Sequence, residues 1–137
     1  MSAAAPSSQP KVLLVEPDGL VRGTVASVCR ELQLVQLQQA TSIALAERWM
    51  KSNVDQGLLL SLAEGPVALD FLSRVREGRY RCAPDIPVAV MAPTCDAALA
   101  TRLKELDVRR LLLQPFRLRD VVRTLEQLWP VPEALAA

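Results

Sequence analysis

The sequence predicts an α/β fold: a doubly wound, five-stranded parallel sheet with helices on both faces, forming a three-layer αβα sandwich. Three observations point there. Short apolar runs alternate with longer stretches whose apolar residues recur every three or four positions. The central runs are apolar on both faces, as strands are when helices cover each side of a parallel sheet. A chain of 137 residues, 50% of them apolar, suits one domain with a sizeable core.

Lys11 to Val15 (KVLLV) reads as the first strand, stopped by Pro17. Asp18 then caps a first helix whose inner face is Val21, Val25, Val28, Cys29 and Leu32. Leu34 to Leu37 (LVQL) is the second strand, polar enough to lie near an edge. Thr41 or Ser42 caps a second helix that turns Ala46, Trp49 and Met50 inward. Gly57 to Leu62 (GLLLSL) is the third strand. A third helix runs from Pro66 to Glu77, with proline tolerated in its first turn and Ala68, Phe71, Leu72 and Val75 as its stripe. Ile86 to Met91 (IPVAVM) is the fourth strand, and Asp96 to Leu106 the fourth helix. Arg109 to Leu113 (RRLLL) is the fifth strand. The last helix starts near Arg117, buries Leu118, Val121, Val122, Leu125 and Leu128, and ends at Pro130 and Pro132. The domain thus spans residues 11–129, between a disordered tail at 1–10 and a short tail at 130–137.

Composition removes several function classes. Without histidine the chain has no imidazole base, ligand or phosphocarrier. Cys29, Cys82 and Cys95 are odd in number and lack CxxC spacing, which argues against a zinc site or a disulfide framework and for a reducing, cytoplasmic setting. Cys95 stands at the start of the fourth helix, and Trp49 and Trp129 read as packing residues. Sixteen Lys+Arg against fifteen Asp+Glu leave a net charge of +1, which argues against bulk nucleic acid or an anionic membrane as partner. The first ten residues lack the pattern of a signal peptide, and no apolar run approaches the roughly 18 residues of a bilayer span.

In doubly wound folds, function lies at the carboxyl ends of the strands. Three segments there, Lys11–Arg22 (KVLLVEPDGLVR), Asp85–Pro93 (DIPVAVMAP) and Arg109–Phe116 (RRLLLQPF), come in order on five β–α units. Together they resemble the receiver domains of bacterial two-component response regulators over residues 11–129. The resemblance implies a flavodoxin-like, receiver-like fold. It also implies a site with an acidic pair after the first strand and an acceptor aspartate ending the third, which together hold a divalent metal. A Ser/Thr after the fourth strand and a Lys after the fifth bind the phosphoryl oxygens. Chemistry needs all of them: crowded carboxylates require a hard cation, and metal plus lysine neutralise the transferring group.

At the matching positions this sequence departs. Glu16 and Pro17 stand for the acidic pair, Ser61 for the acceptor, Ala92 for the Ser/Thr and Gln114 for the Lys. Leu111 stands for the aromatic residue of the fifth strand. Asp18 remains, as a helix cap, and Glu16 with Asp18 makes only a weak candidate cation pair. No catalytic residue, resident metal or cofactor is expected. Ser61 is read as filling a vacated pocket, Glu16 as a solvated carboxylate, and Gln114 as bonding Ser61 or backbone across the former site. Pro115 keeps the family's proline, whose preceding bond is often cis.

The expected function is therefore a non-catalytic pseudo-receiver, a signalling module that works by protein–protein contact independently of phosphorylation. In the family, the surface of the fourth helix, fifth strand and fifth helix carries dimerisation and output. Here it comprises Arg102, Lys104, Arg109, Arg110, Leu111, Arg117, Arg119 and Asp120, and a homodimer through it is one option. Arg74, Arg76, Arg79 and Arg81 form a second basic cluster, read as a solvated face. The alternative is a phospho-accepting receiver of a phosphorelay that uses a substitute acid, Asp18 or Asp55, with Asp55 at the wrong end of the sheet.

Overall fold

Residues 9–129 are described in a computed structural model of the chain. Five strands, β1 (Lys11–Val15), β2 (Gln36–Ala40), β3 (Gly57–Ser61), β4 (Val88–Ala92) and β5 (Arg110–Leu113), alternate with helices α1 (Gly19–Leu32), α2 (Ile43–Ser52), α3 (Pro66–Arg76), α4 (Ala97–Glu105) and α5 (Leu118–Leu128). Every pairing is parallel, in the order β2-β1-β3-β4-β5. Strands β3 and β4 are buried at every position, as their apolar runs require.

Successive strand residues point to opposite faces, so the sheet divides the core in two. On one side Leu13, Val15, Leu58, Leu60, Val88 and Val90 pack with Ala46 and Met50 of α2, Phe71 and Leu72 of α3, and Leu103 of α4. On the other side Val12, Leu14, Leu59, Ala89 and Met91 meet Val25 and Cys29 of α1 and Val121, Leu125 and Leu128 of α5. The chain leaves β1 toward β2 and later steps across to β3. The topological switch therefore falls between the carboxyl ends of β1 and β3, where Glu16 and Ser61 stand.

Of the expected caps, Asp18 and Ser42 accept backbone amides at the starts of α1 and α2, and Asp96, read as the first residue of the fourth helix, does so ahead of α4. Pro66 opens α3 after Gly65, which takes a φ of 64°. The Gln114–Pro115 bond is cis.

Several expectations need correction. Strand β2 begins two residues later than LVQL suggests: Val35 is buried ahead of the strand, and the ladder starts where Gln36 pairs with Lys11. Strand β4 begins at Val88, because Ile86 is a core anchor ahead of the ladder and Pro87 has no N–H to give it. Leu32, expected inward, is 55% exposed in the last turn of α1, where Gln33 turns left-handed and ends the helix. Leu118, also expected inward, is 51% exposed, since the buried face of α5 is Val121, Thr124, Leu125 and Leu128. Gln9 and Pro10, read as tail, are tied to the domain: Gln9 Nε2 donates to the Gln33 carbonyl, and the Pro10 carbonyl accepts the Gln36 amide. The rest of that tail and the helix stop at Pro130 and Pro132 lie outside the described residues.

Candidate functional site

The parallel ladder continues past the strand ends and fixes the backbone of the site. The Glu16 amide donates to the Ala40 carbonyl, Leu62 to Met91, and Gln114 to Ala92. Glu16, Ser61, Ala92 and Gln114 thereby stand in a row at the carboxyl edge, as the sequence placed them.

Glu16 corrects one expectation. It is not solvated but buried, with 2% of its surface exposed. Its Oε2 accepts the Asp18 amide at 3.1 Å, while Oε1 has no hydrogen-bond partner. Burial raises its pKa above the usual carboxylate value, and the Asp18 charge adds to the rise. The Asp18 amide, the Ser61 side chain and the Arg22 charge oppose it. The Arg22 guanidinium donates to the Glu16 and Pro17 carbonyls at 2.8 and 3.3 Å.

The other positions are equally plain. Ser61 is buried, and its Oγ accepts the Ala63 amide at 3.2 Å. Ala92 is buried and offers no polar atom. Gln114 was expected to bond across the site. Instead its side chain makes no hydrogen bond among the described residues, and only its backbone is engaged. Asp18 Oδ1 is held by the Leu20 and Val21 amides. Asp55 lies at the opposite end of the sheet, buried, with both carboxylate oxygens on the Trp49 indole N–H.

A divalent cation does not fit these residues. A hard cation needs about six oxygen ligands, and Mg²⁺ sites use one or two carboxylates as anchors. Here the acids are the buried Glu16 and Asp18, whose Oδ1 is occupied as a cap; Pro17 and Ser61 add no carboxylate, and the Arg22 charge bears on Glu16. Among the described residues no group of three His, Cys, Asp or Glu gathers anywhere. Two of the three thiols are poor nucleophiles: burial pushes Cys29 up to about 11 and raises Cys82 as well.

Of the expected partner surface, Lys104, Arg109, Arg110, Arg117 and Arg119 are exposed and make no ion pair among the described residues. Arg102 is partly tied, to Ser73 Oγ at 2.7 Å and Glu105 at 3.7 Å. Asp120 accepts the Arg117 amide and so caps α5, and Leu111 of β5 is half-buried against the core layer under α2, α3 and α4. The second basic cluster is a solvated face only at Arg79 and Arg81, which are exposed. Arg74 pairs with Glu47 and Tyr80, and Arg76 donates to four carbonyls, those of Pro84, Ile86, Leu106 and Asp107. Nothing local in the sequence marks these arginines, because their acceptors come from distant loops.

Strand order, helix placement and the row of positions at the carboxyl edge give this chain the receiver fold of response regulators. Among solved structures it is similar to the non-phosphorylated HemR receiver domain of Leptospira biflexa, with 21% identity and a TM-score of 0.78 over 91% of this chain and 98% of that one. A response regulator from Thermotoga maritima shares 20% identity and a TM-score of 0.76, covering 88% and 97%. The chemotaxis protein CheY4 of Vibrio cholerae shares 18% and 0.73, covering 88% and 98%. No protein-family model and no curated protein sequence matches the chain. At these identities the likeness is one of fold. No helix among the described residues is long and apolar enough to cross a membrane.

Proposed function

We propose that the chain is a response-regulator-like signalling module that acts through protein–protein contact in the cytoplasm and neither accepts nor transfers a phosphoryl group. The observation that supports this reading is the state of the acceptor position. Ser61 is buried, its hydroxyl oxygen accepts the Ala63 amide, and the carboxylate that bears on it is Glu16, with no histidine in the chain to serve as base. A serine hydroxyl in that setting is a poor nucleophile. The surroundings agree, since the positions matched to the phosphoryl-binding hydroxyl and cation hold Ala92 and Gln114, which supply neither. The output surface in this reading is α4, β5 and α5, with the free cations Lys104, Arg109, Arg110, Arg117 and Arg119 facing an acidic partner.

The test is an amide NMR titration with Mg²⁺ and then beryllofluoride. Unmoved resonances at residues 15–18, 61–64 and 114–116 at millimolar Mg²⁺ are the expected result. Saturable shifts that spread into residues 96–123 would overturn the reading and favour a phosphorelay receiver with a substitute acid, Asp18 being the one on the correct edge.

A further inference from the structure

We infer that α1 is a self-association face, on which a second copy of this chain docks with its own α1 antiparallel to the first. This inference does not depend on whether the chain accepts a phosphoryl group. It concerns a face on the opposite side of the sheet from α4.

An apolar groove of about 680 Å³ lies between Leu20, Val21 and Thr24 of α1 and Pro115, Phe116 and Leu118 at the start of α5. Leu20 is 81% exposed and Leu118 51%, so two large apolar side chains that the core does not absorb flank one groove. A second concavity continues along α1 through Gly23, Thr24, Ser27 and Val28 to Glu31, sharing Leu20 and Leu118 with the first. A Cβ placed on Gly23 meets nothing within 4 Å, so the middle of this face is open and shallow enough for another helix to approach.

Charge selects the occupant. Arg117 lines the upper end of the face and Arg119 stands next to Leu118. Glu31 stands at the lower end, 11 residues from Leu20, or roughly 16 Å along the helix. None of the three makes an ion pair among the described residues. Cations at one end and an anion at the other make the face self-complementary under a two-fold axis. Such an axis through the middle of α1 brings Arg117 and Arg119 of each copy to Glu31 of the other. It also lays Leu20 and Leu118 of each copy over the open middle of its neighbour's helix. A single helix-on-helix contact buries less than the roughly 1,200 Å² of a stable complex, so the dimer is weak and reversible.

The experiment is sedimentation velocity from about 20 μM to about 1 mM, run beside amide shifts over the same range; micromolar-to-millimolar association is what an interface of this size supports. The expected result is a rising sedimentation coefficient, with shifts confined to Leu20, Gly23, Thr24, Ser27, Glu31 and the start of α5. Gly23→Gln fills the open middle and removes the association. Its fold survives, because an exposed helical glycine is the less stable residue there. Glu31→Arg weakens association about tenfold or more, and Arg117→Glu with Arg119→Glu in the same chain restores it. A chain that stays monomeric at 1 mM overturns the inference. So does a dimer that survives Gly23→Gln but is lost on Lys104→Glu with Arg109→Glu, which would place the contact on α4 and β5. Neither result bears on phosphoryl acceptance, which the beryllofluoride titration reads separately.

Discussion

The two edges of the sheet treat buried polar groups in opposite ways. At the amino edge each one is matched. Arg76 gathers four carbonyls from the α3–β4 and α4–β5 connections, Asp55 holds the Trp49 indole, and the Trp129 indole donates to the Gln56 carbonyl. At the carboxyl edge Glu16 keeps an oxygen with no partner, and the Gln114 amide reaches nothing among the described residues. A polar group buried without a partner costs stability, and folds retain such groups where a site once or still operates. The amino edge holds the domain together. The carboxyl edge is where its stability is spent without return.

That contrast can be broken or sharpened by substitution. The largest effect is expected at Arg76. Removing its side chain strands four carbonyls in a setting buried enough to pull the guanidinium below its usual pKa, so Arg76→Ala should cost about 3 kcal/mol. The midpoint of urea unfolding reads this, and a loss under about 1 kcal/mol would mean that water replaces the guanidinium freely. Gly57 comes next. A Cβ there would fall 1.7 Å from Trp129 Cζ2, so Gly57→Ala must displace the indole, at a cost of about 2 kcal/mol. Trp129→Ala in the same chain should make the pair strongly non-additive in a double-mutant cycle, and simple additivity would show that the indole moves aside at no cost.

The smallest effect, and the one of opposite sign, belongs to Glu16. Its folded pKa lies above its unfolded value, so the native state holds the proton more tightly in the window between them. Stability therefore falls as pH rises through that window, starting from the unfolded value near 4.5. Glu16→Gln removes this dependence. It should stabilise the domain by about 1 kcal/mol at pH 8, with the gain vanishing once both states are protonated. Unfolding midpoints at pH 4 and pH 8 decide it, and a variant less stable than the parent at pH 8 would show that the carboxylate is already satisfied there.

Much of this fold is legible in the sequence because burial on both faces of a strand leaves runs such as GLLL that little else produces. The caps Asp18 and Ser42 are legible too, since capping is a local interaction. Strand β2 is misplaced by two residues because an edge strand of glutamines carries no alternation to fix its register. Leu118 and Leu32 mislead for a related reason: spacing gives a helix face but does not say how far the sheet beneath it extends. At the site, residue identities at the strand ends are read directly. The burial of Glu16 is not, because it depends on Ser61, Asp18 and Arg22 closing around it. The roles of Arg74 and Arg76 are hidden for the same reason, as an arginine on a helix reads as solvent-facing until its acceptors are known.

The division of the core into two layers also sets an order of events during synthesis. The layer under α2, α3 and α4 has its last buried member at Leu106. The layer under α1 and α5 needs Val121, Leu125 and Leu128. A nascent chain emerging residue by residue can thus seal one side of its sheet while the other still lacks its second helix. In that interval Val25 and Cys29 hold α1 on the sheet with no neighbour beside it, and the apolar face that α5 later covers stays open.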